Sequence, residues 1–266
     1  MISEFWEIIS NSRQKIYHGE NMYNYKMTIC YDGTKYNGWQ KQGNTNNTIQ
    51  EKLNEIIGRF TGEEAEVNGS GRTDKGVHAK GQVANVKLNI RYNEIEFTNS
   101  INSYLPQDIK VIKTELADLK FHARLSAKSK TYSYIIDNGD VMDVFSRKYS
   151  LYLPEKLDLD NMKKAADYML GTHDFSCFCG NRNFKKSPVR TIDSIDITNN
   201  NDKIIITYSG NGFLQNMVRI MTGTLIETGQ GIRTPESVAE VIHERNRDKA
   251  GFMAPSYGLF LMEVRY

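Results

Sequence analysis

Residues 69–79 read Gly-Ser-Gly-Arg-Thr-Asp-Lys-Gly-Val-His-Ala and hold the residue types in this chain best suited to chemistry. One carboxylate, Asp74, follows Arg72 and Thr73, and glycines at 69, 71 and 76 bracket the group. Glycine reaches backbone angles closed to other residues and admits close backbone approach, so the carboxylate can sit on a tight loop. An ionised carboxylate beside a permanent positive charge can serve as nucleophile or as base. A bare G-x-x-D-x-G also describes a polar surface turn. Here Arg72, Thr73, Gly76, Val77 and His78 are constrained at once, which sets the string apart.

Rigid elements must hold such a loop. Upstream, Ala65 to Asn68 fits the end of a strand; downstream, Gln82 to Leu88 alternates like another, with Val83, Val86 and Leu88 as apolar members. Tyr25 to Tyr31 reads as a strand ended by Asp32 and Gly33, and Thr48 to Phe60 as an amphipathic helix. A second helix is expected over Tyr92 to Tyr104, stopping before Pro106. Strands follow at Ile109 to Glu115 and at Lys130 to Ile136, the latter with Tyr132 and Tyr134 on one side. Asp158 suits the N-cap of a helix reaching Leu170, with Gly171 as its C-terminal cap. Arg190 to Thr198 and Lys203 to Tyr208 read as a hairpin around Asn199 to Asn201. Helices are expected at Leu214 to Glu227 and Glu236 to Glu244, and a closing strand at Leu259 to Val264. Each half thus holds strands and two helices in similar order, an α+β pattern in which helices cover one face of a mostly antiparallel sheet. The junction falls within Asp137 to Tyr149, which divides the chain into halves 22–140 and 141–266.

The 266 residues are enough for a substantial core, and the 39% hydrophobic and 25% charged shares are ordinary for a globular protein. No apolar run approaches the roughly 20 residues that span a bilayer, so no membrane partner is expected. Three cysteines, Cys30, Cys177 and Cys179, cannot all pair within one chain, and a reducing, cytoplasmic setting fits them most simply. His173-Asp174 has no further histidine cluster to complete a metal site, so no metal is expected. A net charge of +2 does not announce a nucleic-acid binder, but its distribution is more telling. Between Asp118 and Asp137 lie Lys120, Arg124, Lys128 and Lys130 with no acid, interleaved with Phe121, Tyr132 and Tyr134. Between Asp174 and Asp193 lie Arg182, Lys185, Lys186 and Arg190, again with no acid. Such stretches suit phosphates and stacked bases, with Lys128, Lys130, Arg182, Lys185 and Lys186 as candidate RNA-backbone contacts; they equally describe two solvated basic faces.

The loop string resembles the pattern G-[AS]-G-R-T-D-x-G-V-H-A of the bacterial tRNA pseudouridine synthase A family. Further blocks resemble that family in the same order. They are Tyr31 to Gln40, Thr48-Ile49-Gln50, Asn102 to Pro106 with Asp108, and Phe121-His122-Ala123-Arg124 followed by Lys130, Tyr132 and Tyr134. Later come Gly171 to Ser176, Arg190-Thr191-Ile192, Phe213-Leu214 with Asn216 to Arg219, and Ala254-Pro255 with Gly258-Leu259.

The resemblance implies two ferredoxin-like α/β halves whose sheets join across a central RNA-binding cleft, in a homodimer. It implies conversion of uridine to pseudouridine at positions 38, 39 and 40 of the tRNA anticodon stem-loop, without a cofactor. In that reaction the bond from ribose to ring nitrogen breaks, the uracil turns, and it rejoins through carbon five. By resemblance Asp74 is the catalytic aspartate and Arg219 its basic partner. A guanidinium there is expected to lower the aspartate's pKa, commonly by about 1–3 units. Tyr132 supplies an aromatic wall for a flipped base, Arg72 engages the RNA, and Leu259 contacts the uracil; as a strand residue Leu259 is equally well explained as core. His78 is expected to stabilise the loop. A non-catalytic RNA-binding paralogue is the alternative, whose sign would be loss of Asp74 or Tyr132; both are present. A hydrolase with an aspartate nucleophile fits less well, because no second acid motif accompanies Asp74. The family's first strand begins within a few residues of the start, so Met1 to Asn21 is expected to be a dispensable extension.

Overall fold

The structure is a computed structural model and describes residues 22–181 and 187–266. The expected extension 1–21, and with it the candidate contacts Arg182, Lys185 and Lys186, lie outside the described residues.

The first half opens with β1 (Tyr23–Tyr31), whose alternate residues Tyr25, Met27 and Ile29 are fully buried, as a strand with one face on the core requires. Helix α1 (Ile49–Thr61) starts where the Thr48 hydroxyl accepts the Glu51 amide and ends at Gly62, which takes the left-handed conformation. The short β2 (Asn68–Gly69) leads into the Asp74 loop, and β3 (His78–Leu88) leaves it, starting four residues before the expected Gln82. Helix α2 (Glu94–Tyr104), capped by Asn93, is followed by β4 (Ile109–Ala117).

The second half holds β5 (Ser129–Asp137), the two-residue β6 (Leu151–Tyr152), α3 (Leu159–Asp167), β7 (Gly171–Asp174), β8 (Val189–Asn200) and β9 (Lys203–Gly210). Then come α4 (Met217–Gly229), α5 (Ser237–Glu244) and β10 (Leu259–Arg265). Two helix boundaries in this half depart from expectation by three residues. Helix α3 stops at Asp167 instead of Leu170, because Met169 and Leu170 bond three residues back, to Ala166 and Asp167, and Gly171 opens β7 instead of capping the helix. Helix α4 starts at Met217 instead of Leu214, because Asn216 sits at φ 60° and breaks the helical path.

Among the described residues, all ten strands join one sheet in the order β4-β1-β3-β10-β5-β9-β8-β7, with β2 added to β3 and β6 to β5. Its pairs are antiparallel except β3–β10 and β5–β6. The fold is thus the expected α+β class with a large, mostly antiparallel sheet. The seam matters most for function. Strand β10, the last in the chain, lies between β3 and β5, pairing Phe260 with His78 and Leu261 with both Ala79 and Tyr132. It therefore brings the strand that leaves the Asp74 loop beside the strand that carries Tyr132.

Candidate active site

The segment 36–39 and strand β1 pin the Asp74 loop. The Trp39 amide donates to the Thr73 carbonyl at 3.1 Å, and the Gly76 amide to the Tyr36 carbonyl at 3.3 Å. The Tyr31 and Thr73 hydroxyls are 2.8 Å apart. Gly38 is held at φ 89°, and a β-carbon there would lie 2.6 Å from the Thr73 carbonyl oxygen; only glycine allows this approach. Gly69 is similarly placed against the Trp39 indole, which is itself buried. On the strand side, the Ser70 hydroxyl bonds the Gln82 side chain, which in turn donates to the Gly71 carbonyl at 3.0 Å.

His78 stabilises the base of the loop, as expected of it. Its Nδ1 accepts the Gly33 amide at 3.1 Å, and Nε2 lies 3.1 Å from the Lys148 and Tyr257 carbonyls. The ring stacks on Phe260 and is buried, and burial pushes its pKa below the usual histidine range.

Above this base opens a cleft of about 610 Å³ whose walls include Asp74, Arg72, Tyr132, Lys130 and Leu259. Arg219, on α4, places Nη1 3.8 Å from the Asp74 Oδ2, while its Nε donates to the Ala254 carbonyl at 2.7 Å. The expected lowering of the Asp74 pKa does not result. Burial raises it, and the attraction of Arg219 offsets only part of that effect. The reason is geometric: 3.8 Å is outside hydrogen-bonding distance, so the carboxylate loses water without gaining a close donor. A carboxylate with raised proton affinity is also the stronger base and nucleophile.

Tyr132 packs its ring edge-on against Phe213, with centroids 5.1 Å apart, and burial raises its hydroxyl pKa, with Tyr31 and Asp74 adding to the effect. Leu259 is buried in the core and also lines the cleft. Arg72 is exposed and donates Nε to the Gln40 side chain at 2.9 Å; Gln40 bonds Gln50, which holds the Val67 carbonyl. Arg72 is thus braced through α1.

The two candidate lysines differ. Lys128 is exposed and does not line the cleft. Lys130 does line it, and its ammonium donates to the Ser70 carbonyl at 2.8 Å. Burial, with Arg124 and Arg190 nearby, lowers its pKa to about 8. Arg124, Arg190, Phe213 and Asn216 also line the cleft. Each stands in one of the sequence blocks, but only the fold shows that they face Asp74. Apart from Asp74, no carboxylate lines this cleft among the described residues.

The arrangement combines one partly buried carboxylate, a flat phenol ring and a cationic rim. It suits a polyanionic substrate that presents a flat ring to Tyr132. Among the described residues, no helix is long and apolar enough to cross a membrane.

Residues 27–125 and 165–266 match the family model described as tRNA pseudouridine synthase. The tRNA pseudouridine synthase A of Bacillus sp. (strain KSM-64) is 47% identical over 245 residues, covering 92% of this chain and 100% of that protein. The tRNA pseudouridine synthase A 2 of Clostridium perfringens is 46% identical with the same coverage. The Bacillus cereus proteins named tRNA pseudouridine synthase A 2 and A 1 are each 41% identical; A 2 has that coverage, and A 1 covers 91% of this chain and 98% of its own length. A solved Cbf5-Nop10-Gar1 complex is a distant likeness, with a TM-score of 0.34 and 11% identity over 76% of this chain and 45% of that one.

Proposed function

Because the chain belongs to the tRNA pseudouridine synthase family, we propose that it isomerises uridines at positions 38, 39 and 40 of the tRNA anticodon arm with Asp74 as nucleophile. The observation that carries this reading is the one carboxylate lining the cleft among the described residues, 3.8 Å from the Arg219 guanidinium and in the same cleft as the Tyr132 ring. A target uridine flips out of its stack and lies against Tyr132 and Leu259. Asp74 bonds the ribose carbon as that carbon's bond to the ring nitrogen breaks. The freed uracil turns, carbon five bonds the ribose carbon as the bond to Asp74 breaks and the carboxylate is regenerated, and the proton lost from carbon five is balanced by the one gained at the ring nitrogen. Product and substrate have the same formula, so no co-reactant is consumed. Arg72 holds the RNA from the exposed lip, and Lys128, Lys130, Arg182, Lys185 and Lys186 serve the phosphates. The enzyme works as a cytoplasmic homodimer.

The separation of family members named A 1 and A 2 does not assign this chain to either, since its identity to both Bacillus cereus proteins is 41%. The test is incubation of the protein with unmodified tRNA and no added cofactor, followed by nucleoside analysis and mapping. Pseudouridine at positions 38, 39 and 40 supports the proposal. Pseudouridine elsewhere overturns the site assignment, and none at all favours the non-catalytic RNA-binding paralogue.

A further inference from the structure

We propose that Asn216 is a positioning residue that sets the distance between Arg219 and Asp74, an inference that rests on the reading of Asp74 as nucleophile. Asn216 precedes α4 in the N-cap position, where an asparagine ordinarily accepts a backbone amide of the first turn. Here its side chain makes no capping bond. It adopts a left-handed backbone (φ 60°, ψ 5°), which asparagine tolerates better than most residues. Its carboxamide oxygen accepts instead from Arg219 Nη1 at 3.2 Å.

That same Nη1 is the atom 3.8 Å from Asp74, so the donor is shared and lies nearer the amide than the carboxylate. The second restraint is the 2.7 Å bond from Arg219 Nε to the Ala254 carbonyl. The Ala254 amide returns a bond to the Arg219 carbonyl, and Tyr134 holds the next carbonyl, Pro255, at 2.8 Å. The guanidinium is therefore tied on two sides and kept off the carboxylate. Space for the amide comes from Gly180, where a β-carbon would lie 2.3 Å from Asn216 Nδ2.

A full contact between Arg219 and Asp74 would hold the carboxylate's electrons and weaken it as a nucleophile; no guanidinium at all would leave a buried charge uncompensated. The loose spacing lies between these extremes: burial raises the Asp74 pKa, and Arg219 at 3.8 Å offsets only part of that rise. The other titratable or charged groups lining the cleft among the described residues are Tyr132 and Lys130 of β5, Arg124 of the loop before it, Cys179, Arg190 of β8 and the exposed Arg72, and Tyr134 acts on Arg219 from β5. None of them holds the Arg219 guanidinium.

Two variants test the inference, each measured for tRNA KM, kcat and the acid limb of the pH profile of kcat. Asn216→Gly removes the amide and suits the left-handed backbone. Free to close on Asp74, Arg219 should move the acid limb to lower pH. The kcat should drop on the order of tenfold to a hundredfold, as for a displaced catalytic group, with KM little changed. Asn216→Asp keeps the shape but adds a carboxylate that draws Arg219 away, and should move the limb to higher pH. Limbs moving in opposite directions support the inference. Limbs that stay in place, or move together, overturn it. If Asn216→Gly does not fold, Asn216→Asp decides alone: an upward move supports and an unmoved limb overturns. Asp74→Asn run alongside separates the two readings. Normal turnover in it removes the nucleophile assignment, whereas an inactive Asp74→Asn beside wild-type Asn216 variants removes only the positioning role.

Discussion

Asp74 carries a tension between stability and function that can be measured. Burial raises its pKa in the folded chain, so the fold binds the proton more tightly than the unfolded chain does. Stability must therefore fall as pH rises from the unfolded value through the folded one, and at neutral pH the ionised form is a burden on the fold. Asp74→Asn imitates the protonated acid. It should melt higher than wild type near neutral pH in calorimetry, while turnover drops to background and tRNA affinity changes little; a lower melting temperature would show the carboxylate to be stabilising.

Tyr132 divides differently, because stacking needs only its ring, worth roughly 1–3 kcal/mol per base, whereas proton removal from carbon five needs its hydroxyl. Tyr132→Phe should bind tRNA almost normally but release pseudouridine slowly or not at all, and wild-type turnover would leave Tyr132 as a stacking surface only. For Lys130, with a pKa near 8, a phosphate placed beside the ammonium would restore its proton. Wild-type affinity for tRNA should weaken as pH rises through about 8, and Lys130→Met should lack that component in a titration by filter binding. The same lysine binds fewer protons folded than unfolded between about 8 and its ordinary 10.5, so on its account stability rises with pH across that window.

At the scale of elements, the Asp74 loop is shaped by another loop and not by its own propensities. Segment 36–39 passes so close that Gly38 has no room for a side chain, and its φ of 89° excludes most residues as well. Gly38→Ala should destabilise the protein by about 1–3 kcal/mol, the usual scale for a strained backbone residue. It should also lower kcat more than it raises KM, since Thr73 moves and Asp74 with it. A melt combined with steady-state kinetics checks both, and unchanged kcat would mean that the loop holds its form without this contact.

At the scale of the whole molecule, the division into halves 22–140 and 141–266 is a reading of the chain, and the sheet runs continuously across it. Strand β5 precedes the cut, yet its partners β6, β9 and β10 all follow it. Strand β3 likewise depends on β10 at the seam. Expressed alone, 22–140 would carry one unpaired strand and one open edge, a state prone to aggregation. It should show no cooperative thermal transition, in contrast to the full chain; a sharp, reversible melt of the fragment would establish it as an independent domain.

Much of this was legible in residue order. The alternation of Tyr25, Met27, Ile29 and Tyr31, the helix opening at Thr48, the Asp158 cap and the existence of the β8–β9 hairpin follow from local periodicity and turn chemistry, although the turn, expected around Asn199 to Asn201, falls at Asn201-Asp202, both at positive φ. The loop string likewise singled out Asp74, which lines the cleft. Periodicity and spacing could not show the meeting of Asp74 with Arg219, 145 positions later, which only the family resemblance suggested, nor the insertion of β10 between β3 and β5. Those pairings are long-range and have no periodic trace. The direction of the Asp74 shift was hidden for the same reason. A nearby arginine in sequence logic argues for a lower pKa, but its sign depends on burial and on a gap of 3.8 Å, and both are properties of packing alone.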